Sequence, residues 1–335
     1  MMQFVGSLLT VIAAASALPA DPVIRKLDDG LRYQYAEGPD GTPQLVDLWL
    51  KSSDLAKSAR YNPDTDNVYH LFTRLNSQRS QIIPMGDDAL LGRSNFDPSK
   101  RIIILVHGWL DNVVSDLNTV LVPAFLEAVD ANVFVVDWYA GGGLTNYATV
   151  LSNMPLSGAG IARFITWLTR ASGAGLSRYH LVGHGVGGHL VGVVGRNLGG
   201  RVPYITSLDP ALAGFITNDD KFDADDGIYT EVIHTNAGLL GYIAPLGKTD
   251  FYPNGGIDMP GCMSQMCDHH RSFHFMAESV RRGGFRGARC STFITAMAGN
   301  CFLPGNLNMG GIDPKTGQVG IYHLTTRPFP PFSRS

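Results

Sequence analysis

The chain has 335 residues, 44% of them hydrophobic and only 16% charged, which excludes a disordered chain or a coiled coil. Lys and Arg number 26 against 29 Asp and Glu, with both signs scattered, so no basic stripe points to nucleic acid as a partner. The 39 glycines and 19 prolines show no repeat period and suit a sheet protein with tight turns better than a helical bundle.

In chain order, MMQFVGSLLTVIAAASALPADP opens with an apolar run from Phe4 to Leu18 and carries Ala15-Ser16-Ala17 as a cleavage site. This pattern predicts a secretory signal peptide over residues 1–17 and a secreted, extracellular protein, although no Lys or Arg precedes the run. The run is too short to cross a bilayer, and no later stretch offers about 18 consecutive apolar residues, so no transmembrane segment is expected. Residues 18–335 are read as a single domain.

The stretches LRYQYAE, VDLWL, VYHLFTRL and QIIPM predict short strands in an antiparallel start. RIIILVHGW is then a continuous apolar run, and LNTVLVPAFLEAV after it has helical spacing despite Pro123. Strand followed by helix is the unit of a parallel sheet, and it recurs through NVFVVDW, IARFITWLTRA, YHLVGH, HLVGVVGRNL, VPYITSLDP and YTEVIHTN. Beyond Tyr252 the sequence reads as an irregular Gly- and Cys-rich segment, a helix near Ser272 to Arg281 and a final strand around Val319 to Leu324.

All four cysteines, Cys262, Cys267, Cys290 and Cys301, lie in the last quarter. Export and the even count favour two disulfides between sequence neighbours, Cys262–Cys267 and Cys290–Cys301. A zinc site built on Cys262, Cys267, Asp268, His269 and His270 is the competing reading, but its spacing matches no common zinc signature.

The sharpest feature is YHLVGHGVGGHLVG, where an apolar strand runs into Gly183-His184-Gly185-Val186-Gly187 and then a helix. The corresponding G-x-S-x-G of α/β-hydrolases is a nucleophile elbow, with outer glycines that let strand and helix approach and a central side chain presented on a strained turn. Here the central residue is Gly185. Gly183, Gly185 and Gly188 also fit the G-x-G-x-x-G of a dinucleotide fold, with Asp209 about 20 residues on as its ribose ligand. That reading leaves the HGW turn and the downstream histidine unexplained, whereas hydrolase order, nucleophile then acid then base, uses Gly185, Asp209 and His269.

Together IILVHGW, VVDW, LVGHGVGGHLVG, ITSLDPALAGF, VIHTN, DFYPNGG and the C-x-H-x-R-S of CDHHRS resemble the pancreatic-lipase family over nearly the whole mature chain. The resemblance implies an α/β-hydrolase fold, a mostly parallel central sheet flanked by helices with antiparallel N-terminal strands, and no C-terminal β-sandwich domain. Single-domain relatives of this kind include insect and venom phospholipases A1 and the lipase-like yolk proteins of insects. Carried over, the family's acid falls on Asp209 and its base on His269, with His270 and His274 as competing positions. The oxyanion hole falls on the backbone N–H groups of Trp109 and Val186, which need no particular side chain.

Gly185 replaces the nucleophilic serine, and no other G-x-S-x-G supplies one. The resemblance therefore implies a lipase-like protein without hydrolase activity, a store or carrier of lipophilic ligands. The alternative is a secreted carboxylic-ester hydrolase of triacylglycerol-lipase or phospholipase A1 type. The short Cys262–Cys267 loop stands where full lipases carry a lid, so an open cleft is expected. Asp223 and Asp226 match the family's calcium position, with Asn218 where a glutamate is expected, and no other cofactor is implied.

Overall fold

The computed structural model describes residues 33–37, 43–47 and 61–334, so the signal peptide expected at residues 1–17 lies outside the described residues. Strands β1 (Tyr33–Glu37) and β2 (Pro43–Asp47) form an antiparallel pair of their own. The expected strand VDLWL is thereby shifted toward the N-terminus.

Among the described residues the main sheet has 11 strands, in the order β12-β11-β13-β10-β9-β8-β7-β5-β6-β3-β4. Its centre consists of β5 (Arg101–Val106), β6 (Ala131–Asp137), β7 (Tyr179–His184), β8 (Tyr204–Leu208), β9 (Tyr229–Ile233), β10 (Thr249–Pro253) and β13 (Gly320–Leu324). These seven run parallel to their neighbours in this group. At one edge β3 (Val68–Phe72) pairs antiparallel with β6 and with β4 (Gln81–Ile82), as expected for the N-terminal strands. At the other, β11 (Arg286–Cys290) and β12 (Leu303–Asn308) form an antiparallel pair in a stretch where the sequence had suggested no strand.

Four long helices cover the sheet: α1 (Asp116–Ala128), α2 (Tyr147–Ser172), α3 (Val186–Asn197) and α4 (Gln265–Arg282). The alternation of a strand sends Ile102, Ile104 and Val106 of β5 into a core with α2 and α3, and Ile103 and Leu105 into a second core with α1 and α4. A strand covered on both faces must be apolar throughout, which is why these strands read as continuous hydrophobic runs. Both expected disulfides are present, Cys262–Cys267 and Cys290–Cys301, with Cα atoms 5.5 and 4.3 Å apart. With no cysteine free, the zinc reading falls away. Among the described residues no helix is long and apolar enough to cross a membrane.

Candidate active site

Strand β7, buried along its whole length, delivers the chain to Gly185, which adopts φ 57 and ψ −120 before α3 begins at Val186. Positive φ with this ψ is a conformation that residues bearing a Cβ avoid. The flanking glycines answer to space instead. A Cβ on Gly183 would collide with the backbone of Gly187, one on Gly187 with the carbonyls of Val106 and His107, and one on Gly188 with Ser207 Oγ at 2.5 Å. At Gly185 the only group among the described residues that a Cβ would meet within 4 Å is the His269 ring, with Nε2 at 3.2 Å. The position is thus built to aim a side chain at one imidazole nitrogen, and no side chain is there.

Asp209 follows β8 and is fully buried at φ 41. Its Oδ1 accepts hydrogen bonds from the backbone N–H groups of Thr235 (2.7 Å) and Asn236 (3.0 Å), which fixes the carboxylate. Its Oδ2 lies 2.6 Å from His269 Nδ1. Such a carboxylate holds the proton on Nδ1 and leaves the Nε2 lone pair of the neutral ring free toward Gly185. Gly241 packs so closely over Asp209 that a Cβ there would overlap the carboxylate.

Past the end of β5, the chain turns through His107, Gly108 and Trp109 to Leu110, which is held at φ 62. His107 pins this turn: Nδ1 is 2.9 Å from Gly108 O, and Nε2 accepts from Trp138 N at 3.2 Å. The Trp109 indole donates to Leu144 O at 2.8 Å and tilts against Tyr147. Among the described residues, neither the Trp109 nor the Val186 backbone N–H has an acceptor within the protein. The Val186 N–H and His269 Nε2 are therefore without partners beside the place of the missing side chain, and the Trp109 N–H likewise lacks one in the turn after β5.

His184, the second residue of the glycine motif, was not singled out from sequence as part of the site. It is buried, its ring centroid lies 4.1 Å from that of His269, and its Nε2 is 3.3 Å from the His269 carbonyl oxygen. Burial, followed by His269 and His270, holds its pKa well below the ordinary range, so it backs His269 as a neutral ring. His270 and His274 make ring contacts, including those with Phe273, and have no carboxylate partner among the described residues. Only His269 is paired with Asp209. The Cys262–Cys267 loop is short, with Met263 fully exposed.

The residues expected to hold calcium do not fit an ion as they are arranged. Asp226 Oδ2 accepts from Asp223 N at 2.8 Å and its Oδ1 is 3.0 Å from the Arg196 guanidinium, while Asp223 accepts from Asp225 N at 2.9 Å. The carboxylates close a helix cap and an ion pair instead of an oxygen cage. Among the described residues no group of three or more His, Cys, Asp or Glu is placed to hold a metal ion. Burial, only partly offset by Arg196, raises the Asp226 pKa from 3.8 to about 6. A folded-state acid with a raised pKa contributes most when protonated, so its contribution falls as pH rises from about 4 to about 6. Asp226→Asn is expected to remove that decline and to add as much as about 3 kcal/mol at pH 7, checked by denaturant midpoints across pH.

Comparison with known proteins adds two findings. The family model described as Lipase matches residues 46–326. Pancreatic lipase-related protein 2 of Bos taurus is 32% identical over 71% of this chain and 57% of its own length. The pancreatic triacylglycerol lipase of Mus musculus is 30% identical over 75% of this chain and 60% of its own length, and that of Myocastor coypus 29% identical over 72% and 59%. The chain thus spans between half and two thirds of the length of these curated relatives.

Proposed function

Because the chain belongs to the lipase family, we propose that it is a secreted member without ester-hydrolase activity, a store or carrier of lipophilic ligands of the lipase-like yolk-protein kind. The observation that carries this reading is Gly185 at the elbow, with its backbone in the nucleophile's conformation and no atom to attack a carbonyl. Without an attacking oxygen no acyl-enzyme forms, and the remaining groups could act only on water. Removal of the nucleophile in a triad leaves about 10³–10⁴-fold acceleration over water, far below the working range of a lipase.

In this reading Asp209 and His269 are the acid and base of the former triad, and the amides of Trp109 and Val186 its oxyanion hole. The two disulfides accord with an oxidising, extracellular setting. The test is hydrolysis of a short-chain ester and of a phospholipid by the purified protein. Turnover at the level of the blank is expected. Turnover well above the blank that disappears in His269→Ala would overturn the reading and leave an active ester hydrolase of triacylglycerol-lipase or phospholipase A1 type.

A further inference from the structure

At the end of the sheet remote from Gly185, a cavity of about 410 Å3 opens where β5, β7 and β8 begin, facing the segment 312–314. Tyr179 at the cavity and His184 beside the elbow lie at opposite ends of β7, roughly 17 Å apart at the usual strand rise. This volume lies in the range that small-molecule sites occupy. We propose that the cavity binds a small organic monoanion, a carboxylate or sulfate ester on a compact apolar body.

The charge of the lining sets the charge of the ligand. Arg101 and Arg178 both line the cavity, and among the described residues Asp313 is the only acid lining it. Arg101 is paired with Asp313 and donates to Ile312 O at 3.2 Å. Arg178 donates to the Ser99 carbonyl and, among the described residues, has no carboxylate partner. Two guanidiniums against one carboxylate leave a single positive charge, so a dianion would be opposed by Asp313 while a monoanion is matched. A guanidinium presents two parallel N–H donors, which suits a head with two or more oxygens.

Behind the cavity lie buried polar groups that lack partners. His180 is 3% exposed, and its Nε2 is 2.9 Å from Thr206 Oγ1, but its Nδ1 has no hydrogen-bond partner. The Tyr204 hydroxyl, 1% exposed at the residue level, lies near Thr206 and Glu231 yet is in hydrogen-bond geometry with neither. The two rings stack with centroids 3.8 Å apart. Buried polar atoms without partners are costly, on the order of 1–3 kcal/mol each, and these two lie behind the cavity wall, with almost no contact with solvent. Burial, then Lys315 and Arg101, keeps His180 neutral, so with Thr206 donating to Nε2 its Nδ1 carries a hydrogen to give. Ile312, Pro203 and Pro314 line the cavity as well, a surface for an apolar body and not for a bare inorganic ion.

The test is titration calorimetry on the full mature protein with benzoate and phenyl sulfate as the two head groups, and phenyl phosphate and benzyl alcohol beside them. Saturable binding of at least one monoanion is expected, weaker binding of the dianionic phenyl phosphate, and none of benzyl alcohol. Arg178→Gln, a substitution at an exposed side chain outside any ion pair, should weaken the monoanion at least about tenfold, the scale of one lost charged hydrogen bond. Gly185→Ser should leave the affinity unchanged, which separates this site from the elbow. Absence of binding by both monoanions, or an affinity indifferent to Arg178→Gln, would overturn the proposal, as would benzyl alcohol binding as tightly as benzoate.

Discussion

Gly185→Ser is expected to raise ester hydrolysis at least about 10³-fold over the parent chain, the scale on which a triad acts as a unit, while lowering stability by about 1–3 kcal/mol. The activity half follows from what surrounds position 185. A serine Cβ would sit 3.2 Å from His269 Nε2, tighter than ordinary contact, so a small shift of the ring would bring Oγ into hydrogen-bond range. The ring is already aligned by Asp209 at 2.6 Å, and Asp209 by two backbone amides. The stability half follows from φ 57 at the elbow, which glycine adopts without cost and serine does not. Asp209 and Leu110 also bear positive φ, with a Cβ in place. Initial rates on a short-chain ester and a denaturant midpoint, read on one preparation, check both halves. Lost stability without activity would show that the acid, base and amides no longer share a productive geometry. Unchanged stability would mean that position 185 is not a strained elbow.

Much of the site was legible because its chemistry travels with local pattern. Strand β7 and the glycines after it form one contiguous string, and SLDP and CDHHRS carry Asp209 and His269 in distinctive contexts. What the string could not reveal is what comes from elsewhere in the chain. Thr235 and Asn236 hold Asp209 through backbone amides, and an amide leaves no residue-type signature. The edge strands β11 and β12 were missed for a related reason. RGARC and LPGNLN lack the apolar run of a doubly covered strand, and β12 is largely exposed. Helix α2 starts at Tyr147, well before the apolar stretch IARFITWLTRA, and runs through Pro155, Gly158 and Gly160, residues that ordinarily break helices. Two of these breakers are packing residues: a Cβ on Gly158 would meet Val193 at 2.6 Å, and one on Gly160 would meet Pro63 at 2.6 Å. Glycine here marks a close approach between elements, which becomes visible only once both elements are in place.

The same reasoning gives the largest expected loss of stability, at Gly187. Its added Cβ would overlap the carbonyl oxygens of Val106 and His107 and lie 3.0 Å from the His107 carbonyl carbon. These atoms are backbone at the end of β5, and β5 is held in register by β6 on one side and β7 on the other. Neither the strand nor a flexible side-chain end can give way, so α3 itself must retreat from the sheet. That movement would part Leu190, Val191 and Val194 from a core in which all three are fully buried. Gly187→Ala is therefore expected to cost at least about 3 kcal/mol, beyond the usual penalty for one extra methyl group in a core. Gly92 provides the opposite case, an exposed helical glycine at which a Cβ meets nothing within 4 Å. There alanine should stabilise by about 0.5–1 kcal/mol through helix propensity. Denaturant midpoints of the two variants should move in opposite directions from the parent, with Gly187→Ala so weakened that a failure to accumulate as soluble protein agrees with the expectation. A Gly187→Ala protein as stable as the parent would mean that α3 does not press against β5 at this point. The close approach that shapes the turn at Gly185 would then be absent, and with it the reason to expect a serine there to face His269.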